Sequence, residues 1–241
     1  MYILNGEHKK GRSELKALIQ GPLFTQEPTF KQGEALFYCY RYIGISYQRE
    51  INNSGLEKAE DYFNKANKQL KYLKQSYAEQ CKALDARLLR NYGNLYQTKG
   101  EYNEALELYA ESLNLFELME DEEHIGITHV HIAQTLISRG TDIEECVYHL
   151  ETVKNISSKI GWMSGEIASS INYGRLNILL SERSNNYLEK VKFLSNAKSN
   201  LLNAQSILFR TDEKYWIGRT HELLEQVSSK QMELEESNAN N

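Results

Sequence analysis

Only two prolines occur in this 241-residue chain, Pro22 and Pro28, and both fall within its first thirty residues. Proline fixes φ and lacks the N–H that a helix interior needs, so its absence from everything that follows leaves long, unbroken helices open to the chain. The aromatic spacing agrees, because Tyr38, Tyr42 and Tyr47, and again Tyr92, Tyr96 and Tyr102, recur at helical rather than alternating intervals. An all-α fold without strands is expected. With 41% hydrophobic and 25% charged residues and a mean hydropathy of -0.60, the chain reads as soluble and able to bury a core. No segment approaches the roughly 18 apolar residues of a membrane span, and Tyr2-Ile3-Leu4 gives way at once to polar residues, unlike a signal peptide. A net charge of -5 supplies no global cationic field, which disfavours direct nucleic-acid binding. Cys39, Cys81 and Cys146 are odd in number and outside any CxxC spacing, so the expectation is a reduced, cytoplasmic protein without disulfide, metal or cofactor.

A small residue recurs in one local context, at Gly44, Gly93, Ala133 and Gly174, at spacings of 49, 40 and 41. Each follows an apolar or tyrosine position and precedes, about one turn later, Tyr47, Tyr96, Leu136 or Asn177. Breaks follow at Asn52-Asn53-Ser54-Gly55, Lys99-Gly100 and Arg139-Gly140-Thr141, where glycine suits a left-handed helix end. Second helices then carry a stripe of a small residue, a large one and a third one turn on: Ala59, Phe63, Ala66; Ala105, Tyr109, Ser112; Cys146, Leu150, Val153. The unit is an antiparallel helix pair.

The clearest copy, Ala86 to Glu117, reads ARLLRNYGNLYQTKGEYNEALELYAESLNLFE and resembles the tetratricopeptide repeat (TPR) family. Tyr92-Gly93 matches the Leu-Gly of that motif, Tyr96 its aromatic, Gly100 and Tyr102 its turn, and Ala105, Tyr109 and Ser112 its second-helix stripe. Glu117 stands where the motif has proline, and the second helix is expected to continue through Leu118-Met119. Repeats near forty residues rather than thirty-four resemble those of bacterial regulatory TPR proteins. The resemblance implies a right-handed superhelical solenoid of antiparallel helix pairs, about four repeats over residues 37–208. Residues 1–36 form an extension with one short helix, Ser13 to Gln20, and a proline-marked connection. The fourth second helix runs from about Tyr187 to Leu208. Residues 209–236 make a capping helix begun by Asp212, and 237–241 a frayed tail.

Catalytic patterns are missing. His124, His129 and His131 lack the spacing and glutamate of an HExxH helix and read as solvent or groove histidines. Ser13-Glu14-Leu15-Lys16 and Ser195-Asn196-Ala197-Lys198 match SxxK by count, without its companion motifs. No P-loop, GxGxxG or GxSxG occurs. The tyrosines fall on positions that the repeat buries, so core packing rather than base stacking is expected of them. No enzymatic activity is expected.

In a stacked array the first helices line a concave surface. Offsets from each repeat's small residue select Arg41 and Gln48; Arg90, Asn94 and Gln97; His131 and Gln134; and Asn172 and Arg175 as outward-facing groove residues. None is acidic, so a neutral-to-basic groove is expected, fitted to a protein or peptide that bears acids or a free C-terminus. Arg90 and Asn94 resemble the first basic-asparagine pair of the family's carboxylate clamp, but His131 replaces its second asparagine, and Ala168 and Asn172 its later basic positions. The leading expectation is a non-enzymatic scaffold or adaptor. Two alternatives stand beside it: the ligand- or peptide-responsive sensor domain of a bacterial signalling protein, and a homo-oligomer assembled through Leu223, Leu224 and Val227 of the last helix.

Overall fold

Several helix starts and stops are set by local capping chemistry that the sequence supplies. The computed structural model describes residues 8–21, 29–210 and 214–239, and every regular element within them is an α-helix. The chain divides into two compact units, Met1–Asp121 and Glu122–Asn241. None of the described helices is long and apolar enough to cross a membrane.

The first unit holds α1 (His8–Gln20), α2 (Phe30–Gln48), α3 (Asn53–Tyr77), α4 (Lys82–Lys99) and α5 (Tyr102–Leu118). Thr29 and Gln32 cap α2 reciprocally, each side chain reaching the other's backbone N–H. The Asn52 side chain accepts from the Gly55 N–H at 2.8 Å and starts α3. α4 ends on Gly100, whose φ of +84° is left-handed. Connections of a few residues cannot carry the chain back along a helix, so α2–α3 and α4–α5, which pack together along their lengths, are antiparallel pairs. α1 starts five residues before its expected Ser13 and lies on α2. Arg12 pairs with Glu50 at 2.7 Å and covers the Tyr47 ring at 3.9 Å, and Lys16 donates to the Tyr47 hydroxyl at 2.8 Å.

The second unit holds α6 (Glu122–Arg139), α7 (Ile143–Ile160), α8 (Met163–Arg183), α9 (Tyr187–Leu208) and α10 (Lys214–Ala239). α6–α7 and α8–α9 repeat the antiparallel pairing. Gly140, at φ +73°, closes α6, and the Asn186 side chain caps α9 by accepting from the Glu189 N–H. The expected bounds of α9 are met, and its buried Ala197, Leu201 and Ala204 supply a fourth small-large-small stripe that the sequence did not announce.

What holds each pair together is a close approach at the first helix's small residue. A Cβ on Gly44 would lie 2.5 Å from the Phe63 ring, one on Gly93 2.5 Å from the Tyr109 ring, and one on Gly174 2.7 Å from Leu201. Those large side chains are fully buried, so none has room to step aside. At the third pair, the Cys146 thiol sits 3.7 Å from the Ala133 carbonyl oxygen.

Three expectations need correction. At the first interhelix turn the left-handed residue is Ile51, at φ +46°, and not Gly55. Gly55 lies inside the first turn of α3, where a Cβ would come within 2.8 Å of the Tyr47 carbonyl oxygen. Helix α10 continues to Ala239, past the frayed start expected at residue 237, and the Ser237 hydroxyl donates to the Glu233 carbonyl. Leu223 and Val227 do not offer an association face, because both are buried in the second unit's own core beside Leu194 and Leu201, with Leu224 packed against it. The Asp212 cap and the connection through Pro22 and Pro28 lie outside the described residues.

Gly93→Leu is expected to destabilise the chain by about 3 kcal/mol, a drop in Tm of roughly 6–12 °C for a chain of this size. Gly218→Ala in α10 is the contrast, since nothing lies within 4 Å of its Cβ position. It should leave Tm unchanged or raise it, by up to about 1 kcal/mol of helix propensity. Thermal melts of both variants check the assignment.

Candidate partner-binding site

Three arginines come together on the face made by α2 and α4. Arg87, Arg90 and Asn91 share one side of α4 through their i, i+3, i+4 spacing. Arg41 of α2 reaches across, its Nε donating to Asn91 Oδ1 at 2.6 Å. Arg87 Nη1 donates to the Tyr38 hydroxyl of α2. Tyr38 and Tyr42 stack with ring centroids 6.1 Å apart, and the Arg41 guanidinium lies 5.2 Å from the Tyr42 ring. Arg90 packs 5.2 Å from the Phe116 ring of α5. Burial lowers the Arg41 pKa, and the nearby Arg87 adds to that. Arg90 is pushed down to about 9, chiefly by burial and then by Arg41 and Arg87, with Asp121 opposing. It therefore stays cationic at neutral pH.

The amides of this face are tied into the fold. Gln48 Nε2 donates to Thr98 Oγ1 at 3.2 Å, and that hydroxyl donates to the Asn94 carbonyl at 2.8 Å, linking α2 to α4. The Tyr109 hydroxyl donates to Asn94 Oδ1 at 2.7 Å and sits 3.3 Å from Gln97 Oε1. Of the residues expected here, Arg41, Gln48, Asn94 and Gln97 are half-buried, whereas Arg90 is 6% exposed and is not outward-facing. Arg87, Tyr38 and Asn91 were not among the expected residues. The signal for Arg87 was its place one turn before Arg90 on the same helix face.

In the second unit, His131 and Gln134 of α6 and Arg175 of α8 are half-buried. Asn172 is wholly buried and is a correction to the expected groove. Its Nδ2 donates to the Ala168 carbonyl at 2.8 Å, and its Oδ1 accepts from Arg175 Nη1 at 3.1 Å. An offset rule identifies a helix face, but here the neighbouring helices cover that face.

His129 is also interior, contrary to its expected solvent or groove place. Its Nδ1 lies 2.6 Å from Nδ1 of His149 on α7, and both rings are buried. Such a bond needs one Nδ1 protonated and the other bare, so the two rings are not both cationic. Burial lowers both pKa values to about 4, and for His129 the neighbouring His149 adds to that. Glu145 Oε1 lies 3.8 Å from His149 Nε2. Among the described residues no group of three or more His, Cys, Asp or Glu is placed to hold a metal ion. All three cysteines are free and buried, and burial raises the Cys146 pKa to about 12, so it remains a thiol at neutral pH.

A polar cleft of about 420 Å³ opens elsewhere in this unit between α7, α8 and α9. It holds none of the expected groove residues. Tyr173 and Asn203 sit in its wall, donating respectively to Glu151 Oε1 at 2.5 Å and to Ser170 Oγ at 2.9 Å.

No family model matches the chain, and no curated protein matches it. Among solved structures it is similar to BtubC (BKLC) from P. vanneervenii, with a TM-score of 0.54 and 13% identity over 96% of this chain and 91% of that one. At that identity the likeness extends to the helical fold alone.

The histidine pair generates a pH prediction with a definite sign. In the unfolded chain both histidines titrate near 6.5, so between pH 6.5 and 4 the unfolded state binds more protons than the folded one. The pair's contribution is fully present above that range and is lost as pH falls, by about 1.4 kcal/mol per pH unit for each extra proton bound. Urea titrations at several pH values from neutral to about 5 should show this decline. It should be shallower in the His129→Leu/His149→Leu variant.

Proposed function

We propose that this chain is a TPR-like helical-repeat module, a right-handed solenoid of antiparallel pairs without catalytic activity, that docks an acidic segment of a partner protein or peptide. The observation that carries this reading is the pair of half-buried arginines, Arg41 and Arg87, on the face of α2 and α4, with the buried Arg90 behind them. Like charges brought together at a partly desolvated surface repel: Arg41 and Arg87 both act on Arg90, and Arg87 acts on Arg41. An arriving carboxylate relieves that repulsion, and guanidinium forks match its geometry. Recurrence of the close approaches at Gly44, Gly93 and Gly174, with small-large-small stripes in each second helix, supports the repeat assignment. Asn94 and Gln97, anchored by Tyr109 through their oxygens, keep amide N–H groups suited to peptide carbonyls.

The test is fluorescence anisotropy with a labelled glutamate-rich peptide and a lysine-rich one of equal length. The glutamate-rich peptide should bind, and binding should weaken as salt rises from about 0.05 to 0.5 M. Arg41→Gln/Arg87→Gln should reduce affinity about tenfold or more, while Arg210→Gln, at an exposed position far along the chain, should not. Equal binding of both peptides, or no effect of the double substitution, overturns the reading.

A further inference from the structure

We propose that the cleft between α7, α8 and α9 is a binding site for a small zwitterion of the free amino-acid class, separate from the arginine face. Every side chain lining it carries a polar group, Tyr173 adding the one aromatic ring. Its volume of about 420 Å³ falls in the range of small-molecule sites, but such sites are usually mostly apolar. A lining this rich in polar groups favours a ligand that hydrogen-bonds along its length.

Three helix faces build it. α7 contributes Lys154, α8 contributes Glu166, Ser170 and Tyr173, and α9 contributes Asn200 and Asn203. Lys154 and Glu166 are of opposite sign, and neither has an ion-pair partner among the described residues. Other charges of the unit do, as in Arg139 with Asp142 at 2.5 Å and Lys230 with Glu182 at 2.9 Å. A zwitterion offers a carboxylate to the Lys154 ammonium and an ammonium to the Glu166 carboxylate, two charge-assisted contacts that no neutral or singly charged ligand makes together.

The walls are arranged to serve such a ligand. Ser170 is 9% exposed, and its oxygen accepts from Asn203 Nδ2, which leaves its hydroxyl proton as an unmatched donor. Asn200 commits its Nδ2 to the Asn196 carbonyl at 2.8 Å and so is left with an oxygen that accepts. Tyr173 is held by its bond to Glu151. A buried donor without a partner costs free energy unless a ligand or water takes it up.

The experiment is a ¹⁵N–¹H NMR titration of the full chain with L-glutamine and L-serine, with glucose as a neutral polyol and acetate as a simple anion. The amino acids should shift backbone resonances at Ser169, Ser170, Tyr173, Asn200 and Asn203, at lower concentration than glucose or acetate. Lys154→Gln and Glu166→Gln should each weaken that binding about tenfold. Lys154 is exposed and Glu166 half-buried, and unchanged melting temperatures will show that both variants fold. Absence of shifts at millimolar amino acid overturns the proposal, as do shifts unaffected by both substitutions or matched by glucose. Glutamate-rich peptide binding depends on neither residue, so its retention or loss reports on the arginine face alone.

Discussion

The contact on which the rest depends is the close approach of a first-helix glycine to a large buried side chain of the helix that follows. Gly44 under Phe63, Gly93 under Tyr109 and Gly174 under Leu201 leave no room for a Cβ. In each case the large side chain fills the space a methyl would take, which lets the two helix axes come close and exclude water. The arrangement also reaches the half-buried amides of α4. The buried Tyr109 ring packs against Gly93, and its hydroxyl lies between Asn94 and Gln97, 2.7 Å from Asn94 Oδ1 and 3.3 Å from Gln97 Oε1. The core contact that joins α4 to α5 therefore also orients two amides at the edge of the arginine face.

This contact is why so much of the fold was legible in the sequence. Glycines and prolines mark backbone events, and the recurrence of Gly44, Gly93 and Gly174 points to helix pairs before any helix is drawn. Gly100 and Gly140 end their helices in the left-handed conformation, as their positions suggested. The errors arose where a residue's chemistry allowed two uses. Gly55 could have ended a helix, but it serves close packing against Tyr47, and the strained φ falls on Ile51 instead. Leu223 and Val227 have the look of an unpartnered apolar stripe until α10 is laid on α9 and α8.

The site was less legible, for a related reason. An offset from a glycine tells which side of a helix a residue occupies, and that information was sound for Arg41, Gln48, Asn94 and Gln97. It does not tell what neighbouring helices lay over that side. Asn172 satisfies the offset and is nevertheless fully buried, its amide spent on Ala168 and Arg175. Arg87 was passed over because its hydrogen-bond partner Tyr38 lies 49 positions away in sequence, on α2. Long-range side-chain pairing of this kind leaves no periodic trace.

Desolvation then separates the two units electrostatically. Burial disfavours charge in both, but the starting points differ. Arg90 begins so high that a fall to about 9 leaves it a cation at neutral pH, whereas a fall to about 4 leaves His129 and His149 neutral. The first unit thus keeps permanent positive charge on the face of α2 and α4. In the second unit His129 bonds to His149 and Ser169 to the Leu150 carbonyl, both pairs buried and neutral. A multiply charged anion gains most from the first arrangement, where cations already repel. At the cleft of the second, Lys154 and Glu166 face outward with opposite signs, so an anion attracted by one is repelled by the other. Only a ligand carrying both charges would gain from each, which is why the ligand chemistries proposed for the two units differ.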